Sequence, residues 1–541
     1  MLKRAYQWLD RTILELAREM RLSYLPPLMV YLAAGVSGLT SIVGTFFVKD
    51  YLGLSAEFLA ALGFWAGIPW ALKMPLGHLV DLIWRYKSAL VYVGAGLITA
   101  SLLIMVGLLG EPAGMRAVMP VEAWYVLSAL LAPTGYVIQD VVADAMTVEA
   151  VPALDEEGHS FPADTRRLMH TTMQTLGRVA IIGGSVAVAL ANVVLFQGVE
   201  TMPTAQKAAI YLQIYQLALL IPVVSVLGVL LGGLLKHREL RRLRSHGYDL
   251  AAAQELVHGH QERTRPNWWI LGGSLAFVLF TLGMGLGDVP YNQEIIFAGS
   301  LGIIGFLMAR LMRELTPEAR RVLLGTAIIV FIYRATPTTG AGQTWWMIDE
   351  LLFDQQFLSV LSLISSGLAL LGMFIFRRFM AEKSIAYIVG FLTIVSTLLA
   401  LPVIGMYYGL HTWTSAHTGG IVDARFIALV DTAVESPLGQ VAMIPMLAWI
   451  ANSAPKHLKA TFFAVMASFT NLALSLSQLG TKYMNQIYTV TREVKDAGTG
   501  TVSVPADYSE LGSLLITVTA IAFLLPLTAI LLVKMTRLRS A

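Results

Sequence analysis

The chain has 541 residues, 56% hydrophobic and only 13% charged, with a mean hydropathy of +0.66. A water-soluble protein of this length needs a far more charged surface, so a soluble fold is excluded. The absence of cysteine excludes disulfides, thiol catalysis and cysteine metal sites, and a net charge of +3 gives no ground for a nucleic-acid partner.

The first 25 residues carry Lys3, Arg4, Arg11, Arg18 and Arg21 and lack the apolar core of a signal peptide. Leu2, Tyr6, Leu9, Ile13, Leu16 and Met20 alternate at spacings of four and three. This is one apolar helix face, read as an interfacial helix over 1–25 on the cytoplasmic surface. Apolar runs of membrane-crossing length follow. They lie at about 26–48, 58–80, 88–110, 122–148, 168–196 and 207–235. A basic linker, 236–267, separates these from two further runs at 268–287 and 294–313. Six more stand at 320–342, 355–376, 385–408, 425–451, 459–488 and 511–534. Barrel strands would alternate polar and apolar residues in short segments, and these runs do not. The expected architecture is an all-α polytopic membrane protein of about 14 transmembrane helices. It comprises a six-helix bundle over 26–235, an inserted hairpin over 268–313 and a second bundle over 320–534.

Charge sidedness supports this layout. With the N-terminus cytoplasmic, most of the 38 lysines and arginines fall in cytoplasmic connections. Only Lys49, Arg116, Lys207, Arg425, Arg492 and Lys495 fall outside, while Lys73, Arg178, Arg334 and Lys482 lie within spans. An internal repeat supports it too. Thr45-Phe46-Phe47, Asp50, Leu52, Phe58, Leu59 and Leu62 recur 299 residues later as Thr344-Trp345-Trp346, Asp349, Leu351, Phe357, Leu358 and Leu361.

An ionisable residue in the hydrocarbon costs roughly 2.5–3.5 kcal/mol on insertion scales, so each one demands a partner, water or a function. Besides the four cations, Asp140 and Asp144 stand one turn apart in the fourth span. Asp431 and Glu435 do so in the tenth core helix. An unpaired carboxyl in such surroundings favours its protonated form, which suits a proton carrier. The structural alternative is that Asp140 neutralises Lys73 or Arg178 and locks helices together. Polar stripes run along two helices: Asn471, Ser475, Gln478 and Lys482 on one, Thr171, Gln174, Arg178 and Ser185 on the other. They read either as pore lining or as glue between helices. Because each stripe carries a cation, pore lining is the preferred reading.

Gly77, Asp81 and Arg85 follow the second span at spacings of four, with Lys87 beyond. This resembles the signature loop of the major facilitator superfamily, whose role is conformational, so these residues are expected to serve gating. Histidines show no metal spacing, and no Walker-type phosphate loop is present. No nucleophile–base arrangement can be drawn, so a non-enzyme without cofactors or metals is expected.

Longer stretches resemble the folate–biopterin transporter family. These are Lys49-Asp50-Tyr51-Leu52-Gly53-Leu54-Ser55, then Ile68-Pro69-Trp70 with Lys73, Pro75, Gly77 and Asp81. Gln139-Asp140-Val141-Val142-Ala143-Asp144-Ala145 with Val148-Glu149 agrees, as do Pro445, Pro455, Lys456, Ala460-Thr461-Phe462-Phe463-Ala464, Ser468 and Asn471-Leu472. The resemblance implies a major facilitator fold and secondary active, proton-coupled transport of a pterin- or folate-like solute. It assigns Lys73, Asp140, Asp144 and Glu149 to family motif positions. The expected substrate-binding set is Lys73, Arg178, Arg334, Asn471, Gln478 and Lys482. The expected proton carriers are Asp140, Asp144, Asp431 and Glu435. A monomer in the inner membrane with both termini cytoplasmic is expected. The rival readings are a muropeptide permease, which the D-x-x-x-D segment also resembles, and a non-transport membrane assembly factor.

Overall fold

The computed structural model describes residues 18–52, 54–71, 73–152, 161–245, 247–258, 268–286, 289–313, 315–439, 441, 459–495, 502–536 and 538–540. Most of the interfacial helix, the 259–267 part of the linker and the Pro445–Lys456 motif lie outside these residues. So do the side chains of Asp81, Arg85, Thr171, Gln174 and 459–464.

The first span is a rod broken in the middle. Pro26 and Pro27 open helix α1 (Leu25–Val36), where a missing N–H costs nothing. A 3-10 turn over Ser37–Thr40 interrupts it, and α2 (Ser41–Tyr51) resumes. At the break, Ser37 and Ser41 donate their hydroxyls to the carbonyls of Ala34 and Gly38, both at 2.7 Å. Such back-bonding bends a helix away from its straight ladder. The second span is α3 (Ala56–Ala71) and α4 (Lys73–Leu82), with Pro69 inside α3. Then come α5 (Ser88–Gly110), α6 (Val121–Ala150), α7 (Ala163–Leu195), and the pair α8 (Thr204–Ala218) and α9 (Leu220–Ser245). The inserted hairpin is α10 (Trp268–Leu286) and α11 (Asn292–Met312).

The seventh core span departs from its expected extent of 320–342. Thr316 caps α12 (Pro317–Arg334) by accepting a bond from Ala319 N–H at 3.3 Å. The chain then leaves the helix through Ala335–Gly340 and re-enters it as α13 (Ala341–Asp349). Pro337 removes a donor, and Gly340 takes φ +71°, which favours glycine. The remaining helices are α14 (Gln355–Ile375), α15 (Ile385–Tyr407), α16 (Ala424–Glu435), α17 (Lys459–Ile487) and α18 (Leu511–Met535). Asp354, Ser384 and Asp423 cap α14, α15 and α16. A small antiparallel ribbon, β1 (Val494–Lys495) with β2 (Val502–Val504), joins α17 to α18.

The repeat is visible in three dimensions. Adding 299 to the α1, turn and α2 boundaries gives 324–335, 336–339 and 340–350, which match α12, its interruption and α13. Both repeats therefore break their first helix at the same point. Phe46 and Phe47, and their repeat mates Trp345 and Trp346, are all 5% exposed or less.

Among the described residues, ten helices are long and apolar enough to cross a bilayer. Of the other expected spans, α12 is cut short by its break, and α16 and α17 border undescribed residues. In lipid, association rests on close packing. A Cβ on Gly35 of α1 would stand 2.1 Å from the Ile181 carbonyl oxygen of α7, and one on Gly184 would meet Gly35 at 2.9 Å. Between repeats, α3 packs along α17 and α7 along α14.

Candidate functional site

Lys73, the first described residue of α4, reaches across from the second span to α6. Its Nζ lies 2.6 Å from Asp140 Oδ2 and 2.8 Å from Asp144 Oδ2. Helical spacing puts the two carboxylates on one face, which is why one lysine can bridge both. Tyr31 of α1 donates its hydroxyl to Asp144 Oδ1 at 2.6 Å. Arg178 of α7 faces the same cluster, close enough to act electrostatically on Asp140 and Tyr31. It makes no hydrogen bond or ion pair with another described residue. Two cations thus balance two carboxylates, as burial of charge requires. The carboxylates differ in access: the Asp144 side chain is 43% exposed and that of Asp140 17%.

One turn beyond Asp140, toward the end of the molecule opposite the chain termini (the far end), Tyr136 lines a cavity of about 410 Å³. Helices α2, α5, α6, α8 and α13 and the 3-10 turn contribute to it. Its polar lining is hydroxyl: Thr40, Tyr125, Tyr136, Tyr215 and Thr344. Ile98, Leu102, Leu59 and Val48 supply apolar walls, and among the described residues no charged side chain lines it. Thr45 and its repeat mate Thr344 both face the space, so it lies where the first helices of the two repeats meet.

Above the cavity the far end is tied across the repeats. Lys49 Nζ lies 2.6 Å from Asp349 Oδ1, and Tyr508 donates to the other Asp349 oxygen. Burial and that carboxylate hold the Tyr508 phenol above its ordinary pKa, so it stays a donor. Arg492 donates to the carbonyls of Lys49 and Leu54 at 2.6 and 2.8 Å, with its guanidinium over Trp345. Gln486 donates to Glu57, and Gln355 to the Tyr211 hydroxyl. At the end that carries the termini, Glu149 of α6 is gripped by Lys87 and by Lys236 of α9, the latter at 2.6 Å. These ties stay within the first repeat.

The other sequence candidates lie elsewhere. Asn471, Ser475 and Gln478 face α3, not a pore. Asn471 donates to the Trp70 carbonyl at 3.2 Å, and Gln478 and Ser475 sit over Gly63 and Gly67 respectively, whose missing side chains leave room. Lys482 is engaged by Glu294 of the hairpin at 3.3 Å, and Tyr483 donates to the same carboxylate. Arg334 ends α12 beside Tyr333, and Glu435 acts electrostatically on Tyr333. Asp431 interacts with Glu435 and has a buried oxygen without a hydrogen bond among the described residues. Gly77 has nothing within 4 Å of a built Cβ. Tyr31, Glu294 and most of the hydroxyl lining escaped the sequence reading, which held Asp349 and Thr344 only as repeat positions and Arg492 only as a cation on the outer side. Of these, Glu294 carried a signal, as a lone acid at the start of an apolar run.

The architecture has close counterparts among solved transporters. A peptide transporter of the POT family superposes with a TM-score of 0.58 at 16% identity, covering 95% of this chain and 94% of that one. A nucleoside transporter does so at 0.53 and 12%, covering 94% and 99%. The fold is therefore that of major facilitator transporters. The BT1 family model matches residues 34–540, and the chain belongs to that family of membrane transporters. The folate-biopterin transporter of Synechocystis is 24% identical over 454 residues, spanning 83% of this chain and 72% of that protein. A putative folate transporter 2 of Plasmodium berghei is 24% identical over 166 residues, 30% of this chain and 34% of that one.

Proposed function

We propose that the protein is a proton-coupled secondary transporter of a folate- or pterin-like, or other anionic, organic solute. It works by alternating access between residues 26–235 and 320–534, in an inner membrane with both termini cytoplasmic. The observation that carries this reading is Lys73 held between Asp140 and Asp144, with Arg178 beside them. An anionic group that approaches Lys73 and Arg178 competes with the carboxylates for the same cations. A carboxylate so displaced takes up a proton, because an unpaired charge in this setting is costly. Proton and solute then cross together, and release of one favours release of the other. Asp144, the more exposed of the two, is the proton carrier in this scheme. The far-end ties describe the state closed on that side. The folate-biopterin transporter relative supports the solute class.

The test is uptake into proteoliposomes. A pH gradient should drive accumulation of a pterin or folate, and Asp144→Asn should abolish the gradient dependence while leaving solute exchange. Undiminished coupling in Asp144→Asn removes it from the proton role, and no gradient-driven uptake of any pterin or folate overturns the reading.

A further inference from the structure

Four hydroxyls face the cavity with no hydrogen-bond partner among the described residues: those of Thr40, Tyr125, Tyr215 and Thr344. Tyr215 is only 5% exposed, yet its phenol opens into this space rather than onto a protein acceptor. A buried hydroxyl normally finds a partner, and leaving one without costs free energy. Tyr215 is buried and Thr40, Tyr125 and Thr344 are partly exposed, all lining one space, so the partner of the four is a bound molecule or water. The walls between them are apolar, with Ile98 and Leu102 on one side and Leu59 on another.

We infer that this cavity is a solute chamber that reads an uncharged, flat heterocycle by its hydrogen-bonding edge, with Tyr215 and Thr344 as specificity-determining residues. The inference rests on the transport reading and locates the part of the cargo that the charged cluster does not bind. A flat ring offers two apolar faces and a polar rim, which matches apolar walls with hydroxyls between them. A sugar exposes hydroxyls around most of its rim and would leave several facing aliphatic carbon. A free peptide brings charged termini that nothing lining the chamber can pair. The anionic part of the cargo instead reaches Lys73 and Arg178, one helical turn below Tyr136. Because Thr344 belongs to the second repeat and Thr40, Tyr125 and Tyr215 to the first, a ring bonded to all four holds α13 against the first repeat. Binding would thus favour the state with the far end closed.

The cysteine-free chain allows a direct test. Ser41 lines the cavity, and its hydroxyl is used within its own helix, so Ser41→Cys is a reporter that spares the four free hydroxyls. Full-length purified Ser41→Cys is treated with N-ethylmaleimide, alone or with 6-hydroxymethylpterin, guanosine or p-aminobenzoylglutamate. The expected result is modification slowed at least tenfold by one or both neutral heterocycles and not by p-aminobenzoylglutamate, an anionic tail that lacks the heterocycle and its hydrogen-bonding edge. Adding Tyr215→Phe or Thr344→Val should raise the protecting concentration about 5- to 10-fold, the loss of one hydrogen bond. Three results overturn the inference: a Ser41→Cys that never reacts, no protection by either ring, or protection unchanged in both hydroxyl variants. Gradient-driven uptake is measured on the same preparations. Uptake without protection removes the chamber and leaves the transport reading, whereas protection without uptake does the reverse.

Discussion

Lys73 answers to two carboxylates at once, and its removal has a predictable cost. Lys73→Gln leaves Asp140, with its side chain 17% exposed, without its ion-pair partner. Breaking a buried pair from one side costs about 3 kcal/mol, mostly the stranded charge. Thermal unfolding in detergent should show that loss, and Lys73→Gln combined with Asp140→Asn should recover most of it. Recovery of stability without recovery of uptake would separate the folding role of the pair from its transport role. At this scale the sequence was informative where a residue is costly. Lys73, Asp140, Asp144 and Arg178 stand out in apolar runs, and the structure brings them into one cluster. It was uninformative where a residue is cheap. Serine, threonine and tyrosine hydroxyls sit in membrane helices at little cost, so Thr40 and Tyr215 carry no mark in the chain and Thr344 shows only as a repeat position. The stripe of Asn471, Ser475 and Gln478 was legible as a stripe, but its neighbour was not. Periodicity tells which residues share a face and leaves open what that face meets. Its complement was present as Gly63 and Gly67, four apart on α3.

At the scale of elements, adjacent glycines of α7 make a sharp comparison. A Cβ on Gly183 meets nothing within 4 Å, whereas one on Gly184 stands 2.9 Å from Gly35 backbone atoms. Gly183→Ala should fold normally, and Gly184→Ala should lower the melting temperature and the folded yield by forcing α1 and α7 apart. The hairpin gives a second case. Gln293 donates to the Ala61 carbonyl of α3 at 3.3 Å, while Glu294 pairs with Lys482 of α17. Ile296 is fully buried in a cluster with Phe64, Ile68 and Leu479. The hairpin therefore packs against both repeats. Glu294→Gln should weaken that attachment and raise protease sensitivity of the hairpin, read by limited proteolysis of the reconstituted protein, with the overall melting temperature little changed. Hydropathy located nearly every helix but ran the seventh span through its break. Ala335–Gly340 is too short and too mixed to interrupt an apolar run, although Pro337 and Gly340 are the residues that end helices.

At the scale of the molecule, most of the described side-chain ties across the repeats lie at the far end, the Asn471 bond to Trp70 being an exception. Lys49→Met removes the cation from Asp349 and leaves the Arg492 and Gln355 contacts in place. One charge-assisted hydrogen bond lost is worth about 1.5–3 kcal/mol, enough to shift a two-state balance by tenfold or more. In proteoliposomes, a Ser41→Cys reporter on that background should react faster with a membrane-impermeant thiol reagent applied at the far end. An unchanged rate would mean that the pair does not hold the far end shut. The two-part plan was legible in the sequence because one duplicated segment kept its pattern over 299 residues. The number of crossings was less so, because interrupted helices blur the length by which a span is counted.

The matched interruption of the first helix in each repeat has a mechanical corollary. Beyond their breaks, α2 and α13 are about 16 and 14 Å long, roughly half the hydrocarbon thickness. Each is a short arm set off from the inner part of its span by the break, and the ion pair between Lys49 and Asp349 joins the two arms near their outer ends. A force at the tip acts through the whole arm, so one modest bond there resists opening as well as a stronger one placed near the pivot. In the alternating-access scheme proposed above, such arms would swing without dragging the inner halves of the same helices, and the charged cluster at Lys73 would stay assembled while they moved.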